Sequence, residues 1–302
     1  MTTIEKLREV SAFLKSQGIE DAAKEAEILI IETLRISKST LYAGRFEMSE
    51  DESKQIDALA SRRAKREPLQ YIIGNVEFCG LKIKVGQGVL IPRPETELLA
   101  EEVIKAISTS NPPSPPFTKG GHWGITKSEL KILDLCTGSG CLALAIAKQF
   151  PEAMVYGTDI SKDAIRYANE NAKLNGIKNV SFLKGSLYEP LKQLISKIPL
   201  KFDIIVSNPP YIKSDEIPCL QPEINKWEPR NALDGGEDGL NYYRTILSEA
   251  RTYLAFSGAI FLEIGEGQAA EVSEIAMQNC FRNISVIKDY AGIERIIVAR
   301  AL

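Results

Sequence analysis

Lys131-Ile132-Leu133-Asp134-Leu135-Cys136-Thr137-Gly138-Ser139-Gly140-Cys141 reads as an apolar strand running straight into a glycine turn, with Leu142–Gln149 as the helix behind it. Gly138 permits the tight turn, and Gly140 is expected to let the backbone approach a ligand with no Cβ in the way. A second strand over 153–157 leads to Asp159, nineteen residues after Gly140, where an acidic side chain in such folds accepts hydrogen bonds from ribose hydroxyls. The glycines point to an adenosine-type cofactor without naming it. Gly138-x-Gly140-x-x-Ala143 also satisfies the relaxed dinucleotide fingerprint, so a nicotinamide enzyme stays open at this point.

Downstream the alternation continues: helix 162–175, strands 180–183 and 202–207, helix 239–253, strand 259–264, helix 268–279, and closing strands 283–288 and 295–298. Strand 202–207 is apolar almost throughout, as a buried parallel strand should be. The pattern predicts an α/β fold with a doubly wound, mostly parallel seven-stranded sheet and ligands outside the carboxyl ends of its strands.

Upstream the texture differs. In residues 1–67, Ile4, Leu7, Val10, Phe13 and Leu14, then Ala26, Leu29, Ile30, Ile31 and Leu34, fall at helical spacing and predict a small helical domain. Nothing in it carries chemistry, so by elimination it is expected to dock a substrate. Residues 68–93 read as a β-hairpin linker turning at Cys79-Gly80; Pro92-Arg93-Pro94 then stiffens the chain, and Glu95-Thr96-Glu97 starts a helix to about residue 107. The main domain spans 94–302, with the Pro/Gly/Ser/Thr-rich stretch 108–129 expected to be a flexible surface insertion.

Composition narrows the chemistry. The net charge of −3 over 302 residues is not that of a protein whose affinity comes from neutralising phosphates. The cluster Arg62, Arg63, Lys65 and Arg66 reads as a solvated helix face. Five scattered cysteines without a CxxC pair argue against zinc and disulfide frameworks. His122 is the only histidine, which excludes histidine-based triads and two-histidine metal sites. With no long apolar run, a cytoplasmic protein without a membrane partner is expected.

Strand 202–207 ends in Asn208-Pro209-Pro210-Tyr211, at the sheet edge that should face the cofactor. Pro209 holds Asn208 extended, and neither proline has an N–H, so these positions offer carbonyl acceptors and no backbone donor. Asn208 adds a side-chain carbonyl and Tyr211 a flat ring. Converging acceptors beside an aromatic plane suit a planar –NH2 group. Its delocalised lone pair would be turned towards an electrophilic methyl without help from a strong base.

At these residues the chain resembles the HemK/PrmC family of N5-glutamine methyltransferases over nearly its whole length. The likeness rests on Leu90-Ile91-Pro92-Arg93-Pro94-Glu95-Thr96-Glu97, on Asp134-x-x-Thr137-Gly138-Ser139-Gly140 and on Asn208-Pro209-Pro210-Tyr211-Ile212. Glu228-Pro229-Arg230, Leu233-Asp234-Gly235-Gly236-Glu237-Asp238-Gly239 and Leu262-Glu263-Ile264-Gly265 match as well. The resemblance implies a Rossmann-like class I methyltransferase that uses S-adenosyl-L-methionine and no metal. Its implied substrate is the glutamine side-chain amide in the Gly-Gly-Gln motif of class I peptide chain release factors. Carried over by position, Cys136, Thr137, Gly138, Ser139, Gly140, Asp159, Leu187 and Asn208 would hold the cofactor. Asn208, Pro209, Pro210 and Tyr211 would bind the glutamine, with Asn208, Pro209 and Tyr211 catalytic. Gly185-Ser186-Leu187 stands where many such enzymes carry an acidic residue for the adenine amine. A monomer acting without nucleic acid is expected. The competing readings are a DNA or RNA amino-methyltransferase of the N6-adenine type, which should show a basic face, and a non-enzymatic binder, which needs no acceptors aimed at a methyl.

Overall fold

The computed structural model describes residues 1–44, 46–109, 130–194 and 200–301. His122 and nearly all of the expected insertion lie outside the described residues. Two compact units are present, Met1–Asn75 with Gln221–Trp227, and Val76–Leu220 with Glu228–Leu302.

The first unit is helical: α1 (Thr3–Ser16), α2 (Ala22–Leu34), α3 (Lys38–Ala43), α4 (Glu50–Ala64) and α5 (Leu69–Ile73). Two capping boxes, Thr2 with Glu5 and Ser49 with Glu52, satisfy the first N–H groups of α1 and α4. Val10, Leu14, Ala26, Leu29, Ile30 and Ile56 form the centre of its core. Two expectations need correcting. The stretch 68–93 is not hairpin throughout, because Leu69–Ile73 turns once more as helix before Gly74 stops it at φ 85° and the strands follow. The basic cluster is not a solvated face either. Arg63 is only 6% exposed and bridges Glu25 at 2.5 Å and Glu223 at 2.8 Å, while Arg62 pairs with Glu67. The segment 221–227 thus belongs to this unit through a buried cation, a contact between residues too distant in sequence for any local pattern to reveal.

The second unit opens with the hairpin β1 (Asn75–Phe78) and β2 (Leu81–Lys84), turned by Cys79 and Gly80 at φ 47° and 67°. Then come α6 (Pro94–Thr109), β3 (Lys131–Leu135), α7 (Cys141–Gln149), β4 (Met154–Asp159), α8 (Lys162–Leu174), β5 (Val180–Lys184), α9 (Glu189–Leu194) and β6 (Phe202–Ser207). After α10 (Pro222–Asn225), which lies in the first unit, follow α11 (Asn241–Tyr253), β7 (Leu254–Glu263), α12 (Ala269–Gln278), β8 (Arg282–Lys288) and β9 (Glu294–Arg300).

The sheet order is β5-β4-β3-β6-β7-β9-β8, parallel except for β9, which runs antiparallel to both of its neighbours. Chain order reverses between β3 and β6, which makes their carboxyl ends the switch point where ligands bind in such folds. Strand β7 starts five residues before the apolar run suggested. Leu254 already pairs with Phe202 ahead of a register shift, leaving Phe256 92% exposed. The hairpin is docked by two asparagines of α8 and its C-cap. Asn171 exchanges hydrogen bonds with the Lys84 backbone at 2.7 and 3.1 Å and also donates to Ser139 O at 2.9 Å. Asn175 does the same for Lys82, so the open edge of β2 is covered.

Gly140 caps α7 at φ 79°, and a Cβ there would lie 2.8 Å from the Phe182 ring and 3.0 Å from Ala168. Its missing side chain serves helix–sheet packing. At Gly176, also left-handed at φ 67°, a Cβ would meet nothing within 4 Å. Gly140→Ala is therefore expected to add an overpacking cost of about 1–3 kcal/mol to the left-handed backbone cost of about 1–2 kcal/mol. Gly176→Ala should incur only the latter. Urea titrations of the two variants check this, and equal midpoints would refute the packing role.

Candidate active site

A cavity of about 920 Å³, its mouth included, lies at the carboxyl ends of β3, β4 and β6. Of the expected cofactor residues, Cys136, Thr137, Gly138, Ser139, Asp159, Leu187 and Asn208 line it, and Gly140 does not. Gly138 is the glycine that faces the space: at φ 54° a Cβ would have only Cys136 O near it, at 4.0 Å. The reason given for Gly140 from sequence belongs to Gly138.

Two carboxyl groups hold the turn. Asp134 Oδ2, 1% exposed, accepts from the Thr137 hydroxyl at 2.5 Å and the Ala143 N–H at 3.2 Å. Burial raises its pKa to about 7. Asp159 accepts from Gly138 N–H at 2.9 Å and Ser161 N–H at 2.8 Å, and burial raises its pKa too. A carboxylate has about four lone-pair sites, so Asp159 keeps capacity for ribose hydroxyls. The thiol of Cys136 is pushed well up by burial and is no nucleophile.

Across the cavity, Asn208 donates its Nδ2 to Thr96 Oγ1 at 2.9 Å, and Thr96 donates its hydroxyl to Glu263 Oε2 at 2.8 Å. Glu263 is 1% exposed at the end of β7, and burial lifts its pKa to about 7. Pro210 lines the cavity, whereas Pro209 and Tyr211 stand behind its wall. Tyr211 is half-buried against the sheet core, its carbonyl held by Gln268 Nε2 at 3.0 Å. Cβ atoms at Gly235 and Gly239 would come within 2.8 Å of Tyr211 Cα and 2.5 Å of its carbonyl oxygen. The Leu233–Gly239 motif is the cradle for Tyr211.

Sequence reasoning assigned no role to Thr96, Arg93, Glu228 or Tyr242. Thr96, Arg93 and Tyr242 line the cavity, and Arg93 is fixed by Glu228 at 2.7 Å. The available signal was the Pro92–Glu97 segment, quoted for its resemblance alone. Among the described residues no His/Cys/Asp/Glu group could hold a metal, and no helix is long and apolar enough to cross a membrane.

Comparison with known proteins gives this geometry its setting. Residues 5–74 match the PrmC N-terminal domain and residues 126–287 a methyltransferase domain. The release factor glutamine methyltransferase of Thermodesulfovibrio yellowstonii is 46% identical over 99% of this chain and 98% of its own length. The chain belongs to the HemK/PrmC methyltransferase family. The Geobacter sulfurreducens protein of the same name is 39% identical over 95% of this chain and 93% of its own. A solved release-factor-specific protein-(glutamine-N5) methyltransferase from Alicyclobacillus acidocaldarius is 28% identical, covering 72% of this chain and 98% of its own, with a TM-score of 0.39.

A HemK/PrmC methyltransferase domain uses S-adenosyl-L-methionine. The lining fits that group. Thr158 Oγ1 is buried in the wall with no hydrogen-bond partner, Gly138 leaves room for a ligand, and Val89, Leu90, Ile160 and Leu187 give apolar surface.

The folded Asp134 carboxyl holds its proton up to about pH 7, the unfolded one only to about pH 4. The folded state therefore binds more protons across that window, and unfolding free energy falls as pH rises through it. Glu263 contributes with the same sign. Asp134→Asn keeps an oxygen for Thr137 and Ala143, and it should flatten the loss of urea midpoint between about pH 4 and pH 7. An unchanged slope would mean that the carboxyl is already ionised in the folded protein.

Proposed function

We infer that this protein transfers a methyl group from S-adenosyl-L-methionine to the side-chain amide nitrogen (N5) of the glutamine in the Gly-Gly-Gln motif of class I peptide chain release factors. The carrying observation is the Asn208 amide. Its –NH2 is turned to Thr96, to which it gives one hydrogen, and this leaves its carbonyl as an acceptor at the wall of the cavity. The names of the full-length relatives support the choice of substrate.

In this reading Cys136–Gly140, Asp159 and Leu187 hold the cofactor. Gly140 acts through packing and the others by direct contact. When bound there, S-adenosyl-L-methionine supplies an electrophilic methyl. Asn208 Oδ1 accepts a hydrogen of the glutamine amide, Pro210 lines the slot beside it, and Pro209 and Tyr211 act from behind the wall, Pro209 by holding Asn208 extended and Tyr211 by shaping the slot. This fixes the nitrogen lone pair on the methyl, and such positioning can lower a barrier by about 7–11 kcal/mol. The amide proton leaves after transfer, so no strong base and no metal is needed. The helical unit, whose described residues add no side chain to the cavity, docks the release factor. The protein works in the cytoplasm as a monomer and without nucleic acid.

The test is incubation with labelled S-adenosylmethionine and, separately, a release factor, DNA and ribosomal RNA. One methyl on the Gly-Gly-Gln glutamine by mass spectrometry is expected, and label on nucleic acid alone would sink the reading. Asn208→Ala should lower kcat by about 10²–10³-fold, as loss of one transition-state hydrogen-bonding group does, with far less change in cofactor Kd. Asp159→Ala should chiefly weaken the cofactor, by about tenfold or more.

A further inference from the structure

We propose that Thr96 and Glu263 are positioning residues that fix which way the Asn208 side-chain amide faces. The inference rests on the methyltransferase reading of the site and adds two residues to it.

An asparagine amide is nearly symmetric in shape but opposite in chemistry at its two ends, one accepting and the other donating two hydrogens. Facing the cavity with oxygen, Asn208 accepts from a substrate –NH2; facing it with nitrogen, it repels one. The strand end itself does not choose, because Pro209 restricts the backbone of Asn208 and leaves the amide flip free.

The choice comes from a chain of hydrogen bonds. Ionised, the Glu263 carboxyl only accepts; protonated, it can give its hydrogen to Tyr211, its other side-chain partner, and either way Oε2 is left to accept the hydrogen bond donated by the Thr96 hydroxyl at 2.8 Å. With its proton committed, Thr96 Oγ1 can only accept from Asn208, and it does so from Nδ2 at 2.9 Å. Thr96 is 3% and Glu263 1% exposed, so water does not compete for either bond. The three residues come from α6, the end of β6 and the end of β7, and the bonds span 112 and 167 positions in sequence. A buried carboxyl is a costly device for mere packing; an apolar side chain would fill the place at less cost. Its use here is to set a polarity.

Methylation of an intact release factor tests this, with thermal melting and cofactor Kd as controls. Thr96→Val keeps the shape and removes the acceptor. It is expected to lower kcat by about 10–100-fold, a partial loss of the group that Asn208 presents, with cofactor Kd unchanged. Thr96→Ser should restore kcat to within a few-fold. Glu263→Gln can place either an oxygen or an –NH2 against Thr96, so it should lower kcat as well. The Thr96→Val/Glu263→Gln double variant should lose less than the two single losses combined, because Glu263 reaches Asn208 through Thr96, and any part it exerts through Tyr211 is read separately from Tyr211→Phe. Apart from activity, the Asn208 side-chain –NH2 should lose hydrogen-exchange protection in Thr96→Val, read by ¹⁵N spectra.

Thr96→Val at wild-type kcat, serine failing to rescue, or fully additive losses would each overturn the proposal. Absence of methylation by the wild-type protein would instead overturn the functional reading, and the spectral comparison would still decide the amide's orientation.

Discussion

One buried hydrogen bond sets the scale of the site: the Ser207 hydroxyl donates to the Leu135 carbonyl at 2.7 Å. Leu135 and Ser207 are also register partners at the ends of β3 and β6. Neighbouring parallel strands lie about 4.8 Å apart, so the glycine turn after one and Asn208 after the other leave the sheet at a spacing the ladder dictates. In the proposed reaction, methyl donor and acceptor nitrogen are thereby placed by two neighbouring central strands of the sheet. Loops supply chemistry, but they are not asked to supply distance.

Around that bond, motifs scattered through the sequence close into one hydrogen-bonded wall. Arg93 meets Glu228, Thr96 meets both Glu263 and Asn208, and Gly235 and Gly239 let the chain pass close behind Tyr211. Each pair joins a group that is costly to bury to a partner that lowers the cost. Losing one member leaves the other unsatisfied, which makes the motifs interdependent though they lie far apart in the chain.

What was legible in the sequence follows from what is local. The strands of the sheet, the helices of the first unit and the turn at Gly138 rest on periodicity and on φ, which a short window records. The direction of a missing Cβ is not local: Gly138 and Gly140 look alike in sequence, yet one faces the cavity and the other faces Phe182 and Ala168. Nor is ion pairing local. Arg63 reads as one more surface charge until Glu223, from a segment 160 positions away, is placed against it. Thr96 was quoted within a motif but had no role, because its two partners are supplied only by the folded sheet. The short helices α9 and α10 went unseen because each is only 4–6 residues long, less than two turns of periodicity.

The proton inventory of the site narrows its substrates further than shape does. Two carboxyl groups near the cavity have pKa values of about 7, the range of a general base, yet both are already engaged. Asp134 holds the glycine turn through Thr137 and Ala143, and Glu263 holds Thr96. In the proposed reaction Asn208 offers the substrate a neutral carbonyl, which does not deprotonate an ammonium. A lysine side chain at neutral pH has no lone pair to give, so it would gain nothing from such a site. An amide nitrogen arrives uncharged, with two hydrogens to be held and a lone pair to be aimed, and becomes acidic only after it has been methylated. Under the proposed mechanism the site selects for planar, non-basic –NH2 groups by its chemistry. The choice of a glutamine over a nucleobase falls to surfaces beyond the cavity.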